Sequence, residues 1–140
     1  MNLKWSPYLA VGVSSIDDQN IELFNRFNRL LDAVVGGNAN EELASTVKFL
    51  VEYVVSHLET EDKVIDRYAY PEALIHKAEH SRFVADIATF KERLRASGAE
   101  RSLAVDVLKR LGDWLQNHVG RTDQELRQFL RVAMTTRKAA

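Results

Sequence analysis

The chain has four histidines, and all of them fall into three short patterns: His57-x-x-x-Glu61, His76-x-x-x-His80 and His118-x-x-x-x-Asp123. Imidazoles and carboxylates four residues apart project from one face of a helix, one turn apart, and can converge on a common ion. Residues five apart lie about 140° apart around a regular helix, so the third pattern predicts a π-bulge or a helix break near Gly120 that turns Asp123 inward. The chain has no cysteine, which rules out a disulfide framework, a thiolate zinc finger or an iron-sulfur cluster. An imidazole and carboxylate set suits iron, manganese or zinc.

These groups need a scaffold. A chain of 140 residues with 46% hydrophobic content is the size of a single domain able to bury its own core. Nineteen Lys and Arg against twenty Asp and Glu give a net charge of -1, so no basic field recruits nucleic acid. The N-terminal stretch from Met1 to Pro7 lacks an apolar signal-like run, and no apolar segment approaches the roughly 18 residues of a membrane span. A soluble, cytoplasmic protein with no nucleic-acid or membrane partner is expected.

Turn signals at Gly36-Gly37-Asn38, Tyr70-Pro71 and Ser97-Gly98 divide the chain into four helical segments. Ser15 before Asp17 and Asp18 reads as the N-cap of a helix over about 15–35, and Asn40 before Glu41 and Glu42 opens the second. Pro71 suits the first turn of a third helix running to about Ala96, and a fourth runs from near Glu100 to the Gly120 region. A fifth, shorter helix is expected from Asp123 to Val132. The fold class is all-α: an up-and-down four-helix bundle over about 15–120, with an N-terminal arm over 1–14 and a C-terminal segment over about 121–140.

Steps of three and four trace an inward stripe on each helix. The first gives Ile16, Asn20, Leu23, Phe27, Leu30 and Val34; the second Val47, Leu50, Val54, His57, Glu61 and Val64. The third gives His76, His80, Phe83, Ile87, Phe90 and Leu94, and the fourth Leu108, Leu111, Leu115 and His118. Polar residues interrupt every stripe, and in an up-down-up-down bundle all the interruptions fall at the same end. One buried polar layer follows. Unpartnered, each of its charges would cost several kcal/mol in a domain with about 5–15 kcal/mol of net stability, and a bound metal pair removes that cost. A metal-free core pairing His57 with Glu61 and His118 with Asp123 is the alternative, but it leaves His76 and His80 without an acid on their stripe.

The chain resembles bacterial hemerythrin-like proteins over nearly its full length. The matching features are Trp5 with Val11-Gly12-Val13, Ile16-Asp17-Asp18-Gln19, His57-Leu58-x-x-Glu61-Asp62, Tyr70-Pro71, His76-x-x-x-His80-x-x-Phe83, and Trp114-Leu115-x-x-His118 with Asp123. The resemblance implies two non-haem iron ions with an oxo or hydroxo bridge, and O2 binding at one of them. It assigns His76, His80 and His118 to one iron, His57 to the other, and Glu61 and Asp123 as bridges. Asn20 stands where the family pattern has a further histidine on the second iron. It offers a weak carbonyl ligand, a hydrogen bond to a water in the gap, or a buried amide beside a site that still loads both irons. Trp5, Phe24, Phe27 and Trp114 are candidates to wall the pocket, with no ligand role.

Three functions are compatible with these residues. The resemblance implies an O2-binding protein for storage, delivery or sensing, with no catalytic residues. A second reading is a di-iron oxidase, peroxidase or NO-consuming enzyme, made more reactive by Asn20 and served by an electron donor. A third is an iron-handling protein with partial loading at His76, His80 and His118. The expected partner is O2, another diatomic or peroxide. No outward apolar stripe calls for more than a monomer or weak oligomer.

Overall fold

Four helices joined by short turns make the bundle, and the last of them continues into a fifth. The computed structural model describes residues 3–139. The helices are α1 (Ser14–Val35), α2 (Ala39–Arg67), α3 (Ala73–Ser97), α4 (Arg101–Asp113) and α5 (Asp123–Ala139), with a π-helical segment over Trp114–Thr122 between the last two. α1 packs on α2 and α4, α2 on α3, and α3 on α4 and the π segment, as short antiparallel connections require. No helix among the described residues is long and apolar enough to cross a membrane.

The helix starts differ from expectation. α1 begins at Ser14 with Val13 at the cap position and no side-chain cap, so Ser15 is not the N-cap. Asp17 turns back instead, accepting hydrogen bonds from the Val11 and Gly12 amides at 2.7 and 3.2 Å. That pulls the arm across the start of α1, and Gly12 makes the bend at φ 97°, where a side chain would be strained. α2 begins at Ala39, so Asn40 lies inside it. Pro71 sits in the turn before α3, which opens at Ala73. The fifth helix is not a short separate piece: it leaves the π segment without a break and reaches Ala139.

The α1 stripe is buried throughout. On α2 the buried face runs in steps of four, Tyr53, His57, Glu61 and Ile65, whereas the expected Val54 and Val64 are half-buried. Four residues overshoot one turn by about 40°, so the buried stripe winds round the long helix where the arm and α5 also cover it. Leu94 and Leu108 are likewise half-buried, and Val107 takes the inner position on α4.

The core has two apolar parts. The larger fills the bundle from Leu30 and Leu103 to Tyr53, Phe83 and Leu115. The smaller gathers Val11, Ile16, Ile65, Tyr70, Leu126 and Leu130 from the arm, α1, α2, the turn before α3, and α5. The polar layer lies between them, with Asn20 between Ile16 and Leu23 on α1, and His118 and Asp123 between Leu115 and Leu126. Among the described residues the buried polar side chains are Asn20, Thr46, His57, Glu61, His76, His80, His118 and Asp123. Of these only Thr46 lies outside the layer, where it bonds the Glu42 carbonyl of its own helix at 2.9 Å.

Candidate metal centre

The π segment resolves the five-residue spacing. The Asp123 amide donates to the His118 carbonyl, an i to i+5 bond that widens the turn and returns residue 123 to the face of residue 118. Asp123 is fully buried, and its Oδ1 lies 3.1 Å from His118 Nε2 and 3.3 Å from His76 Nε2.

Three histidines are held through Nδ1 by acceptors. His57 Nδ1 donates to Gln19 Oε1 at 3.0 Å, and the Gln19 amide is itself oriented by donating to Ser56 Oγ at 3.0 Å. His80 Nδ1 donates to Asp62 at 2.8 Å, and His118 Nδ1 to Glu79 at 2.9 Å. Glu79 also accepts from Thr122 Oγ1 at 2.9 Å, which ties α3 to the π segment. A proton on each Nδ1 leaves each Nε2 as a bare lone pair aimed at the layer, the form in which imidazole binds metal. His76 is the exception, with no partner for Nδ1.

Glu61 divides its two oxygens between two sets of groups. Oε1 faces three imidazoles: it bonds His76 Nε2, lies 3.1 Å from His80 Nε2 and 3.6 Å from His118 Nε2. Oε2 lies 3.6 Å from His57 Nε2. Two overlapping clusters result, one of Glu61, His76, His80 and His118, the other of His57, Glu61 and Asp123, each with ligand atoms within 4.8 Å of one another.

These residues fit metal ions on the evidence of their own unmet needs. His80 Nε2 and His118 Nε2 lie 3.2 Å apart, two lone pairs facing each other unless a cation or proton comes between them. His57 Nε2, Glu61 Oε2 and both Asp123 oxygens are buried without a hydrogen-bond partner. Such a set of orphaned acceptors is costly as it stands and is what a shared cation would satisfy. The same carboxylates also raise the proton affinity of the imidazoles. Burial would depress His76, but the Asp123 and Glu61 carboxylates beside its ring lift it to about 9. Burial opposes ionisation of His118 and His80 too, yet Asp123 raises the first well above its ordinary value, and Asp62 and Glu61 raise the second. Burial pushes Glu61 up, and the four imidazoles around it hold it well below the usual carboxylate range.

Trp114 walls the site. Its indole stacks on His118 at 3.8 Å and 9° and on Phe83 at 3.9 Å and 12°. Phe24 and Phe27 belong to the larger apolar core, and the half-buried Trp5 packs against it. Two surface clefts reach the rim, one of about 310 Å³ touching His118 and Glu79, the other of about 440 Å³ touching His80 and Asp62. The structure thus brings all six expected ligands together, with Asn20 buried in the same layer. Asn20 Oδ1 accepts a hydrogen bond from the Tyr53 hydroxyl at 2.8 Å, which favours the buried amide over a carbonyl ligand.

Sequence reasoning misses four participants: Gln19, Asp62 and Glu79, which hold the imidazoles, and Tyr53, which stacks on His57 at 4.3 Å and 14°. Gln19 and Asp62 lie within stretches that carry the family resemblance, and Tyr53 precedes His57 by one turn on the buried face.

Comparison with known proteins agrees with this geometry. The model of the Hemerythrin HHE cation binding domain matches residues 11–130. The chain is 31% identical over 115 residues to a bacteriohemerythrin of Methylococcus capsulatus, covering 82% of this chain and 86% of the relative. It is 25% identical over 134 residues to a bacteriohemerythrin of Pseudomonas aeruginosa, covering 96% of this chain and 85% of that one. A hemerythrin-like protein of Naegleria gruberi is 26% identical over 126 residues, which covers 90% and 92%. With its bundle, its buried layer of histidines and carboxylates, and matches spanning most of its length, the chain belongs to the hemerythrin family of cation-binding domains.

Proposed function

We propose that the layer holds two iron ions and that the chain takes up O2 there, for storage, delivery or sensing. The observation that carries this reading is Glu61, whose Oε1 faces His76, His80 and His118 while Oε2 faces His57. His76, His80 and His118 would hold one iron and His57 the other, with Glu61 and Asp123 shared and an oxo or hydroxo group completing the bridge. When bound in the reduced state, the iron pair supplies the electrons that make O2 binding possible.

The chain's own residues supply the rest. Gln19, Asp62 and Glu79 keep protons on Nδ1 of His57, His80 and His118, so the Nε2 atoms stay available to metal. The apolar groups on both sides of the layer, with Trp114 stacked over His118, exclude the water and protons that would turn reversible binding into reduction. The test is the visible spectrum of the iron-loaded, reduced protein before air, after air and after the gas is removed. A charge-transfer band that appears and then disappears is expected. Irreversible bleaching would replace the binding function with an O2-reducing or peroxide-reactive one, and that second reading draws on Tyr53, whose ring stacks on His57 and whose hydroxyl bonds the Asn20 amide.

A further inference from the structure

Asn20 poses a problem that a metal does not solve. The side chain is fully buried and its Nδ2 has no hydrogen-bond partner. The orphaned atoms His57 Nε2, Glu61 Oε2 and the Asp123 oxygens are acceptors, or atoms able to act as acceptors, which a cation satisfies. An amide N–H needs an acceptor instead.

The amide's orientation follows from its neighbours. The indole Nε1 of Trp114 can only donate, and it lies 3.3 Å from the Tyr53 oxygen, which therefore accepts. The Tyr53 hydrogen is then free for Asn20, whose Oδ1 receives it at 2.8 Å. A flipped amide would bring a second donor to the Tyr53 oxygen and leave the hydroxyl hydrogen without this acceptor. Tyr53 is itself fixed, stacked on His57 and edge-on to Phe83 at 6.3 Å and 86°. Asn20 Oδ1 is thus occupied, and Nδ2 remains as a donor within the layer, on the residue next to the Gln19 that holds His57. The His57 cluster offers one imidazole where the other offers three, so a metal there has fewer protein donors and takes an added ligand more readily.

We propose that Asn20 Nδ2 donates a hydrogen bond to a small anionic ligand bound at the His57 metal position, and that Tyr53 is the positioning residue that orients the amide. The ligand class is a small anion with a hydrogen-bond-accepting end, of the azide or hydroperoxide type. This inference rests on the di-iron reading and adds to it a donor that discriminates among ligands by basicity.

The probe is azide, titrated into the oxidised, iron-loaded chain and followed by its charge-transfer band and by the infrared azide stretch in H2O and D2O. The wild type should show a solvent-isotope shift of the stretch. Asn20→Leu should abolish that shift and weaken azide binding by about tenfold or more, the loss expected for one hydrogen bond to a charged group. Tyr53→Phe, which keeps the ring and removes one buried oxygen, should weaken binding less and shrink the shift. Unchanged azide affinity with a retained isotope shift in either variant would overturn the proposal. Iron content measured on the same samples separates the two failures. Fewer than two irons in the wild type overturns the di-iron reading and this proposal with it, whereas full loading with azide insensitive to both substitutions overturns this proposal alone.

Discussion

Asp123 follows His118 by five residues, yet its Oδ1 lies 3.1 Å from His118 Nε2, because a π-helical turn carries the chain between them. In a regular α-helix the two side chains would diverge by about 140° and the carboxylate would leave the layer. The irregular turn is therefore the element that closes the site. Asp123→Asn keeps the shape and removes the charge, so it should leave the helical circular dichroism intact and lose at least one metal per chain. Full metal loading in this variant would mean that Asp123 is not a ligand.

Glu79 touches no metal position, but it holds His118 Nδ1 and anchors Thr122 of the π segment. Removing such an outer partner typically costs about 10–100-fold in metal affinity. Glu79→Ala should show that loss in a competition titration with a chelator, while the number of metals bound at saturation stays the same.

His80→Ala removes one of the proposed ligands and leaves Glu61 with fewer imidazoles around its buried charge. The variant should bind less metal and melt lower than the wild type by several degrees, since a loss of about 1 kcal/mol lowers the melting point of a domain this size by roughly 3–5 °C. A metal-depleted variant that melts with the wild type would contradict the argument that the buried layer depends on its ligands.

In the metal-free protein His76 ionises at about 9, above its ordinary 6.5, and His80 and His118 are raised as well. A group whose folded value is raised stabilises the fold fully below its unfolded value, and that contribution is lost as pH rises through the folded one. The metal-free chain should therefore melt at a higher temperature at pH 6.5 than at pH 9.5. Metal binding should release protons across the same window and weaken as pH falls. A melting temperature that rises between these two pH values would contradict the assignment.

Asn20→His should slow autoxidation, because an imidazole on the His57 side would fill coordination space that Asn20 leaves open. Stopped-flow decay of the O2 band measures it, and an unchanged rate would show that Asn20 does not face the metal.

Much of this architecture is legible in the residues themselves. His57 with Glu61 and His76 with His80 are one turn apart on amphipathic helices, and the interrupted stripes place them in one layer. The awkward spacing of His118 and Asp123 by itself demands a helix irregularity. What stays hidden in the sequence depends on contacts between helices. Gln19 meets His57, and Glu79 meets His118, across 38 and 39 residues of sequence, and neither pairing follows from periodicity. Steps of three and four select Val54 rather than its neighbour Tyr53, whose inward place depends on contacts with Asn20 on α1, Phe83 on α3 and Trp114. The start of α1 departs from the serine-cap pattern because Asp17 bonds the arm rather than leaving the cap to Ser15.

The central claim is a two-metal centre divided by Glu61, and the most direct test is the iron content of the chain after anaerobic reconstitution with ferrous iron and removal of the excess. The account predicts two irons per chain, falling in the Glu61→Gln variant. One iron per chain in the wild type, held by His76, His80 and His118 alone, would contradict it.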